Sequence, residues 1–324
     1  MESAFNQAVQ SAYIDCLDLK KSESVLVITD DDTFEVGHAL YVGGQKFASQ
    51  AHLLLMPVAE VNGQEPPDPI AQAMTQYDVV LCPTAKSLTH TDAKRNACKQ
   101  GVRVATLPGI TKDVFIRTMK VDYNKVAERT WFISGLLEKT EKVYIKTDLG
   151  TDLILPISGM KPISSTGLIR EKGKGGNIPS GESFLAPKEG ETQGTLVVDA
   201  SIAGIGLLDR PVTIKIKDGF AYAFSGSDKS KLLEKDLSRF GKPGFNVAEL
   251  GIGTNDGATV TGKILEDEKV FGTIHIAFGN NITMGGTCNV GIHIDCVVQK
   301  PDVWFDDLKI MEKGKMLVKE SIND

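Results

Sequence analysis

The sequence predicts a mixed α/β plus α+β protein in two parts: a parallel α/β domain over residues 1–125 and a β-rich domain over residues 126–324. Three observations carry this expectation. The first 120 residues alternate short apolar runs with helix-spaced stretches, the signature of a parallel sheet covered by helices. Beyond residue 137, strand-like segments follow one another across glycine-rich turns. The length of 324 residues also exceeds what a single core ordinarily spans.

Taken in order, residues 24–29 form a β-branched, continuously apolar run, read as a buried strand. Residues 35–47 show helical spacing, and 52–56 read as a second strand ended by Pro57. A short helix over 69–76 leads to a third strand at 78–82, ended by Pro83. Residues 91–100 are helical with Gly101 as the stop, and 102–106 make a fourth strand. A helical connector over 121–137 opens the second part. Residues 142–146 and 152–155 bracket Asp148-Leu149-Gly150-Thr151 as a hairpin. Strands are expected at 195–199, 212–216 and 220–224, a helix at 229–240, and a closing hairpin of 303–310 with 316–318. No internal repeat or low-complexity segment is present.

Composition narrows the function. A net charge of −6 and a pI near 5.5 argue against nucleic-acid binding, which calls for a basic patch. No apolar run reaches the roughly 18 residues of a membrane span, and the first residues lack a basic and apolar leader. Five scattered cysteines, none in CxxC, are read as reduced thiols of a cytoplasmic protein. Neither GxGxxG nor a P-loop follows the first strand, so no dinucleotide or P-loop chemistry is expected. Asp30, Asp31 and Asp32 follow a strand end and are read as a helix cap.

The chemistry concentrates in the last third. His293-Ile294-Asp295 places an imidazole and a carboxylate two residues apart, on one face of a strand. His275 lies in a second strand-like run, residues 272–279, and only five histidines occur in the chain. Glu182 and Glu249 each sit in an apolar, strand-like block, where a carboxylate is costly unless paired or metal-bound. Two glutamates, two histidines and an aspartate make five ligands, enough for two divalent ions with positions open to water and substrate. That makes the β-rich part the metal-binding domain. The plainer alternative is that both histidines hydrogen-bond within a β-core. Cys288 and Cys296, which flank the HxD, are read as apolar fillers of strand positions.

These blocks resemble the M29 metalloaminopeptidases of the aminopeptidase T type. The resemblance runs through Gly150-Thr151-Asp152-Leu153, the block from Asn177 to Phe184 containing Pro179-Ser180-Gly181-Glu182, Ala248-Glu249-Leu250, Asp267-Glu268, His275-Ile276-Ala277-Phe278-Gly279, Asn289 and His293-Ile294-Asp295. It implies metal ligation by Glu182, Glu249, His275, His293 and Asp295, with zinc, cobalt or manganese as the ions. It also implies a small-molecule or short-peptide substrate and a homodimer. Of the two candidate catalytic glutamates, Glu182 and Glu249, the sequence does not distinguish bridging ligand from proton acceptor. One departure is plain: where the family carries a tyrosine after the His275 block, this chain has Asn280-Asn281-Ile282-Thr283-Met284.

The chain is similar, more distantly, to the 2,5-dihydroxypyridine dioxygenases, which hold one ferrous iron with two histidines and a carboxylate. In that resemblance His293, Asp295 and one further ligand would hold the iron. The dioxygenase pattern has a histidine at the position of Glu249 and a serine at that of His275, and lacks the glutamate at 182. Retention of Glu182, Glu249 and His275 favours the two-metal pattern. A non-catalytic binding protein is the third possibility, against which five intact ligand positions argue. Two readings stay open for His90, reaching the site or capping the following helix, and for Arg95 and Arg117 solvated helix faces are at least as good an explanation as binding of a substrate carboxylate.

Overall fold

The computed structural model describes residues 2–318. The chain divides into two compact units: Met1–Ala127 with Thr166–Ser180, and Glu128–Ser165 with Gly181–Asp324. The first unit opens on α1 (Glu2–Ser11) and alternates β1 (Ser24–Thr29), α2 (Phe34–Phe47), β2 (Gln50–Leu55), α3 (Asp68–Met74), β3 (Val79–Cys82), α4 (Asp92–Lys99) and β4 (Arg103–Thr106) before α5 (Lys112–Thr118). Its strands pair in parallel, β1 with β2 and β3, and β3 with β4. Every residue of β1, β3 and β4 is buried, the condition under which apolar runs need no alternation. Asp30 caps the turn after β1, its side chain accepting from the Thr33 N–H, in line with the expected helix-cap role.

Asp78 ties two of these strands together. Its carboxylate accepts from both the backbone N–H and the hydroxyl of Ser24, each at 2.8 Å. The Ser24 N–H is the main reason its pKa lies below the ordinary aspartate value. A group depressed on folding stabilises above its unfolded pKa, and that contribution disappears as pH falls through the folded value. Asp78→Asn is therefore expected to lower stability at neutral pH and to make the acid limb of a denaturation profile shallower.

The chain leaves the first unit through α6 (Tyr123–Leu137), builds β5 (Lys142–Lys146), β6 (Asp152–Pro156) and β7 (Ile163–Ser165), and then returns. The return places β8 (Gly175–Asn177) beside β4 as a fifth parallel strand. The second unit is thus interrupted by residues 166–180, which the sequence reading had placed within it. A three-residue strand with two glycines carries no periodicity that would reveal it.

The remaining elements are β9 (Glu182–Leu185), β10 (Gln193–Val198), β11 (Ser201–Ile202), β12 (Gly206–Leu207), β13 (Val212–Lys217), β14 (Phe220–Gly226), α7 (Lys229–Ser238), β15 (Val247–Gly253), α8 (Ile264–Asp267), β16 (Ile274–Gly279), β17 (His293–Val298), β18 (Asp302–Phe305), β19 (Leu308–Glu312) and β20 (Lys315–Met316). They form an eight-stranded sheet, β14-β13-β10-β6-β5-β18-β19-β20, and a seven-stranded sheet, β12-β11-β17-β16-β15-β9-β7. One apolar cluster draws on both, including Ile145, Leu153, Leu196 and Ile214 from the first and Leu250, Ile252, Ile276, Phe278 and Cys296 from the second. Each fully buried side chain of this kind contributes about 1.5–3 kcal/mol.

The closing hairpin differs from the expected one. Asp306 takes a left-handed conformation (φ 49°), and its carboxylate accepts the amides of Glu141 and Lys142. The run 303–310 is therefore split into β18 and β19, with β20 completing a meander. Among the described residues no helix is long and apolar enough to cross a membrane.

Candidate metal centre

Four adjacent strands of the seven-stranded sheet position the site, in the order β17-β16-β15-β9. The alternation of a β-strand divides their residues between two faces. On β16, Ile274, Ile276 and Phe278 enter the apolar cluster, which turns His275 and Ala277 the other way. On β17, Ile294 and Cys296 enter the cluster while His293 and Asp295 share the opposite face. Register sets Ala277 across from both Glu249 and Asp295, and Gly251 across from His275. Glu182 lies opposite Gly253.

Glu249 reaches this face because of a bulge. Strict alternation would put Val247 and Glu249 on one side, yet Val247 packs in the apolar cluster. The β15–β16 register shifts between these two residues. One extra residue reverses the facing, a common use of bulges beside functional sites.

All five residues expected from the sequence come together in the second unit. His275 Nε2 lies 3.2 Å from Glu249 Oε1 and 3.6 Å from Glu182 Oε2. His293 Nε2 lies 3.1 Å from Glu249 Oε2 and 3.4 Å from Asp295 Oδ1. The two oxygens of Glu249 therefore face different imidazoles. His275 is fully buried, whereas the His293 side chain is 31% exposed and marks the open side.

Two residues belong here that the sequence reading did not place in the site. Glu268 joins Glu182 and His275 in one group of mutually close ligand atoms, all within 4.8 Å; Glu249, His293 and Asp295 form the other. Lys269, 1% exposed, donates to Glu182 Oε1 at 3.1 Å and to Glu268 Oε1. Both follow α8, where no strand period points them at the site. The sequence signals are the Asp267-Glu268 pair within the aminopeptidase T resemblance and a run of four charges, Glu266-Asp267-Glu268-Lys269, ahead of a buried strand.

The donor set fits divalent cations. Four carboxylates, of Glu182, Glu249, Glu268 and Asp295, converge with two imidazoles, and the Lys269 ammonium touches two of them, Glu182 and Glu268. Such a concentration of buried negative charge calls for cations. Protons take that role when nothing else does. Burial works against a charged imidazole at His275, but hydrogen bonding and charge from Glu249, then Glu182, raise its pKa to about 9. Burial likewise opposes protonation of His293, and Asp295 and Glu249 override it. Burial raises the Asp295 pKa, yet His293 and His275 bring it down to about 2. Glu249 is also burdened by burial and is held below the usual glutamate value by the two imidazoles. At Glu268 burial prevails over Lys269, and the carboxyl rises to about 8.

The loop before β17 holds His293 in place. His293 Nδ1 meets the Asn280 carbonyl at 2.8 Å, which keeps the proton on Nδ1 and frees Nε2 to ligate. Glu189 pins this loop, accepting from Asn281 Nδ2, the Thr287 N–H and hydroxyl, and the Cys288 N–H. Burial would raise the Glu189 pKa, but the donors from Thr287 hold it low. Glu189→Ala is expected to speed hydrogen exchange at Thr287 and Cys288. It should also weaken metal binding through His293, by less than the roughly 10–100-fold that loss of a ligand's own outer partner costs. A metal titration beside an exchange time course checks both. Cys288 is half-buried in this loop, outside any strand, contrary to its expected role as a strand filler, whereas Cys296 is buried on β17 as expected.

A family model described as NicX: 2,5-dihydroxypyridine 5,6-dioxygenase matches residues 14–318. The 2,5-dihydroxypyridine 5,6-dioxygenase of Pseudomonas putida (strain KT2440) is 22% identical over 262 residues, covering 77% of this chain and 73% of that protein. The solved structure of 2,5-dihydroxypyridine dioxygenase from Pseudomonas putida KT2440 superposes with a TM-score of 0.84 at 18% identity, covering 98% of both chains. Wild-type AmpT from Thermus thermophilus superposes with a TM-score of 0.69 at 15% identity, covering 96% of this chain and 99% of that one. At these identities the two superpositions establish the fold, and they meet both resemblances read from the sequence. With nearly its whole length matched, the chain belongs to the family described as 2,5-dihydroxypyridine 5,6-dioxygenase (NicX).

Proposed function

We propose that this chain is a two-metal hydrolase that cleaves an amide or peptide bond in a small substrate. The observation that carries the reading is Glu249, whose two carboxylate oxygens face two different imidazoles, each accompanied by further carboxylates. Glu182, Glu268 and His275 would hold one ion and Glu249, His293 and Asp295 the other, with Glu249 in the bridging place. Zinc, cobalt or manganese bound there supplies Lewis-acid activation of water and of the carbonyl under attack. His293 closes the centre on its exposed side, where a substrate enters.

The site lacks the donor that a tyrosine would give to a developing oxyanion, and the two asparagines do not replace it. Asn280 Nδ2 donates to the Val290 carbonyl and Asn281 Nδ2 to Glu189. Loss of one oxyanion donor costs about 10²–10³ in rate. Ordinary leucyl peptides are therefore expected to be poor substrates, and a smaller or more reactive amide the natural one.

Family membership favours a second reading, a ring-cleaving dioxygenase acting on a dihydroxypyridine-like aromatic. That chemistry uses two histidines and one carboxylate on a single ferrous ion. Around His293 the structure groups one imidazole with two carboxylates, Glu249 and Asp295, which weighs against it. Assays of protein reconstituted separately with zinc, cobalt, manganese and ferrous iron decide between the two. Hydrolysis of a small or cyclic amide, abolished by His293→Ala, is the expected result. Oxygen consumption with 2,5-dihydroxypyridine in the ferrous sample alone would overturn the proposal.

A further inference from the structure

The two halves of the centre differ in one respect. Lys269 is 1% exposed, and its ammonium lies between Glu182 and Glu268. Lysine is rarely buried unless paired, and here both partners belong to the same half. The backbone gives it no way out: the Lys269 N–H donates to the Glu266 carbonyl, and its own carbonyl accepts the Asn255 N–H. In the other half, Glu249 and Asp295 meet imidazoles rather than an ammonium.

We infer that Lys269 is a positioning residue that makes the two metal subsites unequal, weak and exchangeable at Glu182, Glu268 and His275, tight at Glu249, His293 and Asp295. Three effects act in the same direction. The ammonium occupies Oε1 of Glu182, so this side chain has one free oxygen, Oε2, facing His275. It neutralises charge on Glu182 and Glu268 that would otherwise attract a divalent ion. It also repels that ion directly, at short range and away from water. The inference rests on the two-metal reading above.

Calorimetric titration of the chelator-stripped full chain with Mn²⁺, followed by elemental analysis after dialysis, tests it without reference to turnover. Wild type is expected to bind in two steps at least about tenfold apart, the scale of one nearby unit charge. Glu182→Gln should remove the weaker step and Asp295→Asn the tighter one. Lys269→Gln should strengthen the weaker step by about tenfold or more and leave the tighter one little changed, while Lys269→Arg restores the wild-type order. Two equal steps in wild type, or a weaker step unmoved by Lys269→Gln, would overturn the role of Lys269 and leave the two-metal reading standing. A single step in both wild type and Lys269→Gln would overturn the two-metal reading itself. If Lys269→Gln does not fold, the other pair decides: a weaker step that survives Glu182→Gln and disappears with Asp295→Asn contradicts the assignment.

Discussion

Replacing Glu249 by alanine is expected to strip the protein of bound metal and to cut hydrolysis by more than about 10²-fold. Its carboxylate contacts both imidazoles. An outer partner of a metal ligand is worth about 10–100-fold, and a group shared by both halves is worth more. The substitution also leaves His275, which is fully buried, without its nearest acceptor. Leaving a buried polar group unpaired costs about 1–3 kcal/mol, so the metal-free variant should melt earlier than metal-free wild type. Glu249→Gln separates the two effects: it keeps the shape and a hydrogen-bond acceptor and should preserve the fold while losing the metal. Elemental analysis after gel filtration, beside a thermal melt, reads both. A Glu249→Ala protein that keeps its full metal content would show that Glu249 does not bridge.

The second large effect is expected from a residue with no side chain. Gly251 lies across from His275, and a Cβ added there would stand 2.0 Å from His275 Nε2. His275 cannot yield, because it is enclosed on a strand whose neighbours on either side are core residues. Gly251→Ala should therefore destabilise by about 1–3 kcal/mol, the range for overpacking a tight core. It should also abolish metal binding at the His275 half while leaving the His293 half able to bind. Metal stoichiometry measured on the folded fraction checks this. Full occupancy of both halves in Gly251→Ala would mean that His275 is not a ligand.

Strand periodicity made much of this site legible in advance. His293 and Asp295 had to share a face if their segment was a strand, and the 3.4 Å separation reflects that. His275, Glu182 and Glu249 were conspicuous as ionisable residues in apolar blocks, a cost that only pairing or ligation offsets. The facing of Glu249 was not legible, since it depends on a bulge that only the partner strand reveals. Glu268 and Lys269 follow a four-residue helix, where no periodicity assigns a face. The parallel sheet was legible because its inner strands β1 and β3 are buried along their whole length and mostly apolar. Its fifth strand, three residues taken from the middle of the other unit's sequence, was not.

If Glu249 joins two cation-binding halves, each histidine serves a different ion. Equilibrium dialysis of the full chain against saturating Mn²⁺, followed by elemental analysis, tests it most directly. Two equivalents per chain are expected, falling to one in both His275→Ala and His293→Ala. Saturation at one equivalent, lost entirely when either histidine is replaced, would place both imidazoles on a single ion and contradict it.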